Sequence, residues 1–250
     1  MENKKNQVWY NYFGNIRKKY DMEVSRTKPL VIFLDGKGIT TGNDFNLLDF
    51  NSESFNEIME KTVKHFTLEY SCLAIFGMDE VSFIFDNANE VIDKLNNNKN
   101  FKTNEIISVF SQYFFYYFNK LNNKNEVFWH ARCHSIPEYK IKSYIEYRSN
   151  SIYNTFVTYF LKKNNVKNSG KIKLEEKIKL CSKEKNYYDI KDYEKGITYL
   201  KGERINLEEF LINNAIKTIK PIEKKEKIKY LDLKDLDKIF NDWLRIYKMM

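Results

Sequence analysis

The stretch Pro29-Leu-Val-Ile-Phe-Leu-Asp-Gly-Lys-Gly38 runs five apolar residues in a row, two of them β-branched, into an acid and two glycines. An apolar run without polar alternation suits a strand buried on both faces, and its abrupt end at Asp35-Gly36-Lys37-Gly38 suits a tight turn. Further along, Cys72-Leu-Ala-Ile-Phe76 and Val81-Ser-Phe-Ile-Phe85 flank Gly77-Met78-Asp79-Glu80. That is the pattern of a hairpin carrying acids at its tip.

Between these strands, Asn51-Ser-Glu-Ser54 offers helix caps, and Phe55, Ile58, Met59, Thr62, Val63 and Phe66 recur at spacings of three and four. An amphipathic helix follows from that spacing. After the hairpin, residues 96–100 read as a polar loop. Ile106 to Leu121 reads as a helix whose aromatic residues, among them Phe110, Phe114, Phe115 and Phe118, call for burial in the core. Val127 to Ile136 alternates as a strand and Tyr144 to Lys163 as a long helix. The unit is therefore strand, helix, hairpin, helix, strand, helix. From Lys171 onward lysines interleave with Ile172, Leu174, Ile178 and Leu180. One more strand is expected over Gly196 to Leu200, and a terminal helix over Leu231 to Tyr247 carries Leu236, Ile239, Phe240, Trp243 and Leu244.

At 250 residues and 42% hydrophobic content the chain can bury a sizeable core, which excludes intrinsic disorder as the main state and fits one core with an appendage. The 42 basic against 34 acidic residues leave a formal charge of +8, a prior for a polyanionic partner. Cys72, Cys133 and Cys181 are too few and too scattered for a disulfide framework, so reduced thiols are expected. No run reaches the ~18 apolar residues that span a bilayer. A soluble, cytoplasmic protein without membrane contact is the expectation.

Asp35 closes one buried strand while Asp79 and Glu80 occupy the turn of a hairpin. Carboxylates are costly in a low-dielectric interior and become tolerable when they bind a divalent cation. A pair on adjacent strands can hold two ions roughly 3.5 to 4 Å apart, one at an attacking hydroxyl and one at a nucleotide triphosphate. Gly36 and Gly38 let the backbone approach phosphate oxygens. Asp-Gly is also a common turn dipeptide, and acids at a hairpin tip are often merely solvated. It is the joint placement, with strand, helix and hairpin in that order, that a palm-type nucleotidyltransferase requires.

At these residues the sequence resembles the tRNA(His) guanylyltransferase family, including its bacterial and archaeal relatives that repair tRNA 5′ ends in the 3′-to-5′ direction. Phe13-Gly-Asn-Ile-Arg-Lys-Lys-Tyr20 resembles the family's opening helix, Phe33-Leu-Asp-Gly-Lys-Gly38 its first metal strand, and Phe76-Gly-Met-Asp-Glu-Val-Ser-Phe-Ile-Phe85 its acidic hairpin. Phe128-Trp-His-Ala-Arg132 resembles its Arg-bearing strand, Asn150-Ser-Ile-Tyr-Asn-Thr155 its Asn-rich helix, and Tyr193-Glu-Lys-Gly196 a late strand entry. The resemblance spans roughly residues 10 to 200.

The resemblance implies an α+β palm-type (ferredoxin-like) antiparallel sheet with helices packed on it over residues 1–165. A lysine-rich, mainly helical C-terminal extension over 166–250 would carry the late strand and terminal helix. It further implies two Mg2+ ions held by Asp35, Asp79 and the backbone carbonyl of Gly36, with Glu80 in support. The nucleotide, GTP or another NTP with ATP for 5′ activation, would lie on Asp35, Gly36, Lys37, Gly38, Ile39, Thr40, Met78 and Asp79. Two departures stand out, Met78 where the family has Ser and Asp49 near the place of a triphosphate-contacting Lys. Relatives are usually tetramers, so a homo-oligomer is expected.

For RNA, Arg132 and Arg148 offer planar forks suited to phosphate, though an arginine near a helix is also a common ion-pair partner. Asn150 and Asn154 share a helix face. The lysines from Lys162 and Lys163 to Lys185 could track a phosphate backbone or simply solvate a helix. Zinc at His130, Cys133 and His134 is disfavoured, since on a strand Cys133 faces away from the two histidines. The expectation is a nucleotidyltransferase acting at the 5′ end of a tRNA or tRNA-like RNA. Its rivals are a palm-type signal-nucleotide synthase or cyclase, and a catalytically inert RNA-binding relative.

Overall fold

Leu30–Gly36 forms strand β1, in which no residue from Leu30 to Leu34 is more than 6% exposed. The computed structural model of the chain describes residues 24–42, 44–95, 103–122 and 126–211. The expected opening helix at 13–20, the polar loop at 96–100 and the terminal helix at 231–247 lie outside the described residues. Strand β2 (Leu73–Gly77) and strand β3 (Glu80–Phe85) make the hairpin, joined by the two residues Met78 and Asp79. Strand β4 is Trp129–Ser135, β5 is Ile197–Leu200 and β6 is Glu203–Ile205. They form one antiparallel sheet in the order β4-β1-β3-β2-β5-β6.

One face of the sheet is covered by helices α1 (Phe55–Glu69), α2 (Asn89–Leu95) and α3 (Thr103–Leu121). Helix α1 begins where sequence chemistry places it: the Ser54 hydroxyl accepts the Glu57 amide at 3.2 Å, and the Glu57 carboxylate accepts the Glu53 amide at 3.0 Å. Phe110, Phe114 and Phe118, one turn apart along α3, are fully buried. Phe66 of α1 packs against Phe110, Phe114 and Phe83 with ring centroids 5.2 to 5.8 Å apart. Such edge-on and tilted aromatic packing adds to area burial, and the expectation that α3 is core holds.

The first half of helix α4 (Ile141–Lys163) covers the opposite face. There Tyr144, Ile145, Tyr147 and Ile152 meet Val31, Leu73, Ile75 and Ile84. The alternation of β1 explains the two-sided burial, with Leu30, Ile32 and Leu34 to one side and Val31 to the other. Gly77 ends β2 because nothing larger fits: a Cβ there would lie 2.5 Å from Cγ2 of Ile152 and 3.2 Å from the Gly196 Cα. Helix α4 and the entry to β5 thus press directly on the acidic hairpin.

The fold is α+β and palm-like, as the sequence implied. Helices α5 (Leu174–Cys181) and α6 (Lys185–Tyr188) take up the lysine-rich segment. Cys72, Cys133 and Cys181 are all buried. Among the described residues, no helix is long and apolar enough to cross a membrane.

Candidate active site

The pairing of β1 with β3 sets Asp35 directly opposite Glu80, and the Gly36 amide donates to the Asp79 carbonyl at 2.7 Å. The end of β1 and the hairpin tip are therefore one locus. After β1 the chain turns tightly. The Lys37 amide donates to the Phe128 carbonyl at 2.8 Å, the Gly42 amide to the Gly38 carbonyl at 2.8 Å, and the Thr40 amide to Oδ2 of Asp79 at 3.1 Å. Gly38 has φ +77°, a conformation glycine adopts without cost. Gly36 is required by crowding, since a Cβ would stand 2.8 Å from Cγ1 of Ile39. Ile39 is the buried anchor of the turn, whereas Lys37 and Gly38 are exposed.

Asp79 is only 6% exposed. Burial, and then the charge of Asp35, push its carboxyl up to about 7, against a partial offset from the Thr40 amide. A buried acid that resists ionisation beside a second acid is short of positive charge, and it sits at the tip of a hairpin that contains a strained residue. Met78 adopts φ +56°, unusual for a residue with a side chain. Its side chain is 3% exposed and packs into the main core, so the thioether does not face the turn.

Glu80 is placed differently. Its carboxylate forms an ion pair of 2.5 Å with Arg148 of α4, and the guanidinium stacks over the Phe33 ring at 4.2 Å. Arg148 is 2% exposed. The expected phosphate-binding role at an RNA surface is therefore corrected: Arg148 is an interior partner of Glu80, because it lies on the stripe of α4 that also carries Tyr144 and Ile152. That spacing of four was visible in the sequence and marked the buried face.

The other expected RNA contacts are scattered. Arg132 is exposed on β4, opposite Phe33 in register. Asn150 and Asn154 are exposed on α4, but Oδ1 of Asn154 accepts Lys177 Nζ at 2.9 Å, and Lys177 also donates to Thr158 Oγ1 at 2.7 Å. Lys162 and Lys163 are exposed at the C-terminal end of α4. Lys177 itself is 3% exposed, hidden in a segment whose other lysines face water.

The donor set suits a hard cation: two carboxylates and the adjoining Gly36 carbonyl are all oxygen ligands. Among the described residues, no group of three or more His, Cys, Asp or Glu is assembled for a metal. Mg2+ does not need one, because it keeps several waters and takes one or two carboxylates together with substrate phosphates. The shortage of positive charge at Asp79 and the oxygen chemistry of the pair fit that ion.

No family model matches the sequence, and no curated protein matches it. Solved structures do. A bacterial tRNA(His) guanylyltransferase-like protein in complex with GTP superposes with a TM-score of 0.57 at 16% identity, over 84% of this chain and 95% of that one. A bacterial tRNA(His) guanylyltransferase-like protein in complex with ATP gives 0.54 at 18% identity, over 76% and 83%. The tRNA(His) guanylyltransferase of Saccharomyces cerevisiae gives 0.49 at 19% identity, over 77% and 94%. The chain has a palm-like α+β fold. In particular, it shares the fold of the bacterial tRNA(His) guanylyltransferase-like proteins.

Proposed function

We propose that this protein is a Mg2+-dependent nucleotidyltransferase that adds a nucleotide to the 5′ end of a tRNA or tRNA-like RNA. The observation that carries the reading is the convergence of Asp35 and Asp79, brought about by β1–β3 pairing, beside the glycine-containing turn at 36–42. The nucleotides held by the two bacterial structures of like fold support it.

Asp35, Asp79 and the Gly36 carbonyl would hold two Mg2+ ions, which supply Lewis-acid activation of a hydroxyl and neutralise a triphosphate. The residues of the chain divide the remaining work. Lys37 and Gly38, the exposed part of the turn, offer a cation and a closely approachable backbone to phosphate oxygens. The ion pair with Arg148 fixes Glu80 and neutralises it, which leaves it outside the ligand set. Thr40 donates its amide to Asp79 and so fixes the orientation of that carboxylate. Exposed Arg132, Asn150, Lys162 and Lys163 would meet RNA phosphates.

Incubation with labelled nucleotide, Mg2+ and RNAs bearing a 5′-monophosphate or 5′-triphosphate tests the reading. A 5′-extended RNA, lost in Asp79→Ala, is expected. A product formed without RNA would instead assign a signal-nucleotide synthase, and RNA binding without any product an inert relative.

A further inference from the structure

Phe128 keeps 58% of its surface exposed. Isolated exposed hydrophobics are common, so position decides whether one matters. Here the position is specific. The Phe128 carbonyl accepts the Lys37 amide at 2.8 Å, which ties this residue to the turn proposed to carry phosphates. The next residue, Trp129, is the register partner of Gly36 and goes inward against Phe114 and Phe118, with centroids 4.9 and 5.2 Å apart. The chain thus anchors one aromatic at the end of β4 and leaves its neighbour out.

The ring left out is also held. It stacks on Phe115 of α3, with centroids 5.4 Å apart and planes at 29°, and Phe115 is half-buried. A phenyl ring backed on one side by a fixed ring loses little freedom when a flat partner joins the stack. Every nucleobase has a π-face that can do so.

We propose that Phe128, backed by Phe115, is a stacking platform for a nucleobase whose phosphates lie on the 36–40 turn. The proposal rests on the nucleotidyltransferase reading and deepens it. The base would belong either to the incoming nucleotide or to the terminal residue of the RNA. Stacking carries no hydrogen-bond code, so the platform gives affinity without choosing among bases.

The test compares the native protein, Phe128→Ala and Phe128→Tyr in calorimetric titrations with GTP, ATP, inorganic tripolyphosphate and a short 5′-triphosphorylated oligonucleotide, all with Mg2+. Phe128→Ala should weaken GTP and ATP by about 5- to 150-fold each and leave tripolyphosphate unchanged, while Phe128→Tyr restores both. A loss confined to the oligonucleotide would give the platform to the RNA's terminal base. Equal losses for GTP, ATP and tripolyphosphate, or no loss for any ligand, would overturn the proposal. So would unchanged binding with an altered oligomeric state in Phe128→Ala, which would give the ring to an interface between copies. Failure of the native protein to bind GTP or tripolyphosphate would instead bring down the underlying nucleotidyltransferase reading.

Discussion

Replacing Asp79 by Asn should stabilise the protein at alkaline pH. The residue is 6% exposed and its carboxyl is pushed up to about 7, where the ordinary value is 3.8, because burial and the charge of Asp35 oppose ionisation. In the folded state the group binds more protons than in the unfolded state throughout that window, so stability falls as pH rises from about 4 to about 7. The gap of roughly three pH units, at about 1.4 kcal/mol each, sets the cost near 4 kcal/mol once both states are ionised. Asn keeps an oxygen for the Thr40 amide and carries no charge. In urea unfolding without divalent cations, the advantage of Asp79→Asn over the native protein should therefore grow by about 2.5 kcal/mol between pH 5 and pH 8. Mg2+ at pH 8 should stabilise the native protein and narrow that gap, with little effect on the variant. An advantage independent of pH, or one that shrinks toward pH 8, would refute the reasoning.

Arg148→Met should cost about 3 to 5 kcal/mol in urea unfolding at pH 7, because it strands the Glu80 carboxylate beneath α4, and adding Glu80→Gln should recover most of the loss. Gly36→Ala forces a Cβ to within 2.8 Å of Ile39 Cγ1; overpacking of about 1 to 3 kcal/mol should accompany weaker binding of tripolyphosphate in calorimetry. Phe114→Ala empties a fully buried site between α1, α3 and Trp129 and should lower stability by about 3 to 5 kcal/mol in chemical denaturation. Lys162→Glu with Lys163→Glu should weaken tRNA binding and flatten its dependence on salt, by a slope of about 1 for each phosphate no longer neutralised, in filter-binding titrations.

The parts of this fold that show in the sequence are those where one physical demand dominates. A run such as Leu30 to Leu34 has no polar face to offer solvent, so it must be covered on both sides, and the strand it forms ends just past the acid, at Gly36. The same logic exposes the hairpin, the cap at Ser54 and the aromatic core of α3. What escapes is decided by distant pairing. Strand β5 was expected over Gly196 to Leu200 and forms at Ile197–Leu200, but its place beside β2 is settled only when the sheet assembles; β6 has three residues and no local signal.

Within the candidate site, Asp35 and Asp79 were legible through their joint placement at the ends of buried strands, since either acid alone reads as an ordinary turn residue. Arg148 was not, because long cations usually face water, and the clue of its spacing with Tyr144 and Ile152 competes with that habit. Lys177 is masked by composition: it shares a stripe with Leu174 and Cys181, but its neighbours in sequence are also lysines. The left-handed Met78 has no signal, since the turn would more readily take glycine or asparagine.

The proposed joint action of Asp35 and Asp79 on a nucleotide's metal ions is best tested by calorimetric titration of GTP into the native protein, Asp35→Asn and Asp79→Asn, each with and without Mg2+. The account predicts that Mg2+ strengthens GTP binding at least tenfold in the native protein and that either substitution abolishes this gain. Binding that is indifferent to Mg2+ in the native protein, or a gain that survives both substitutions, would contradict it.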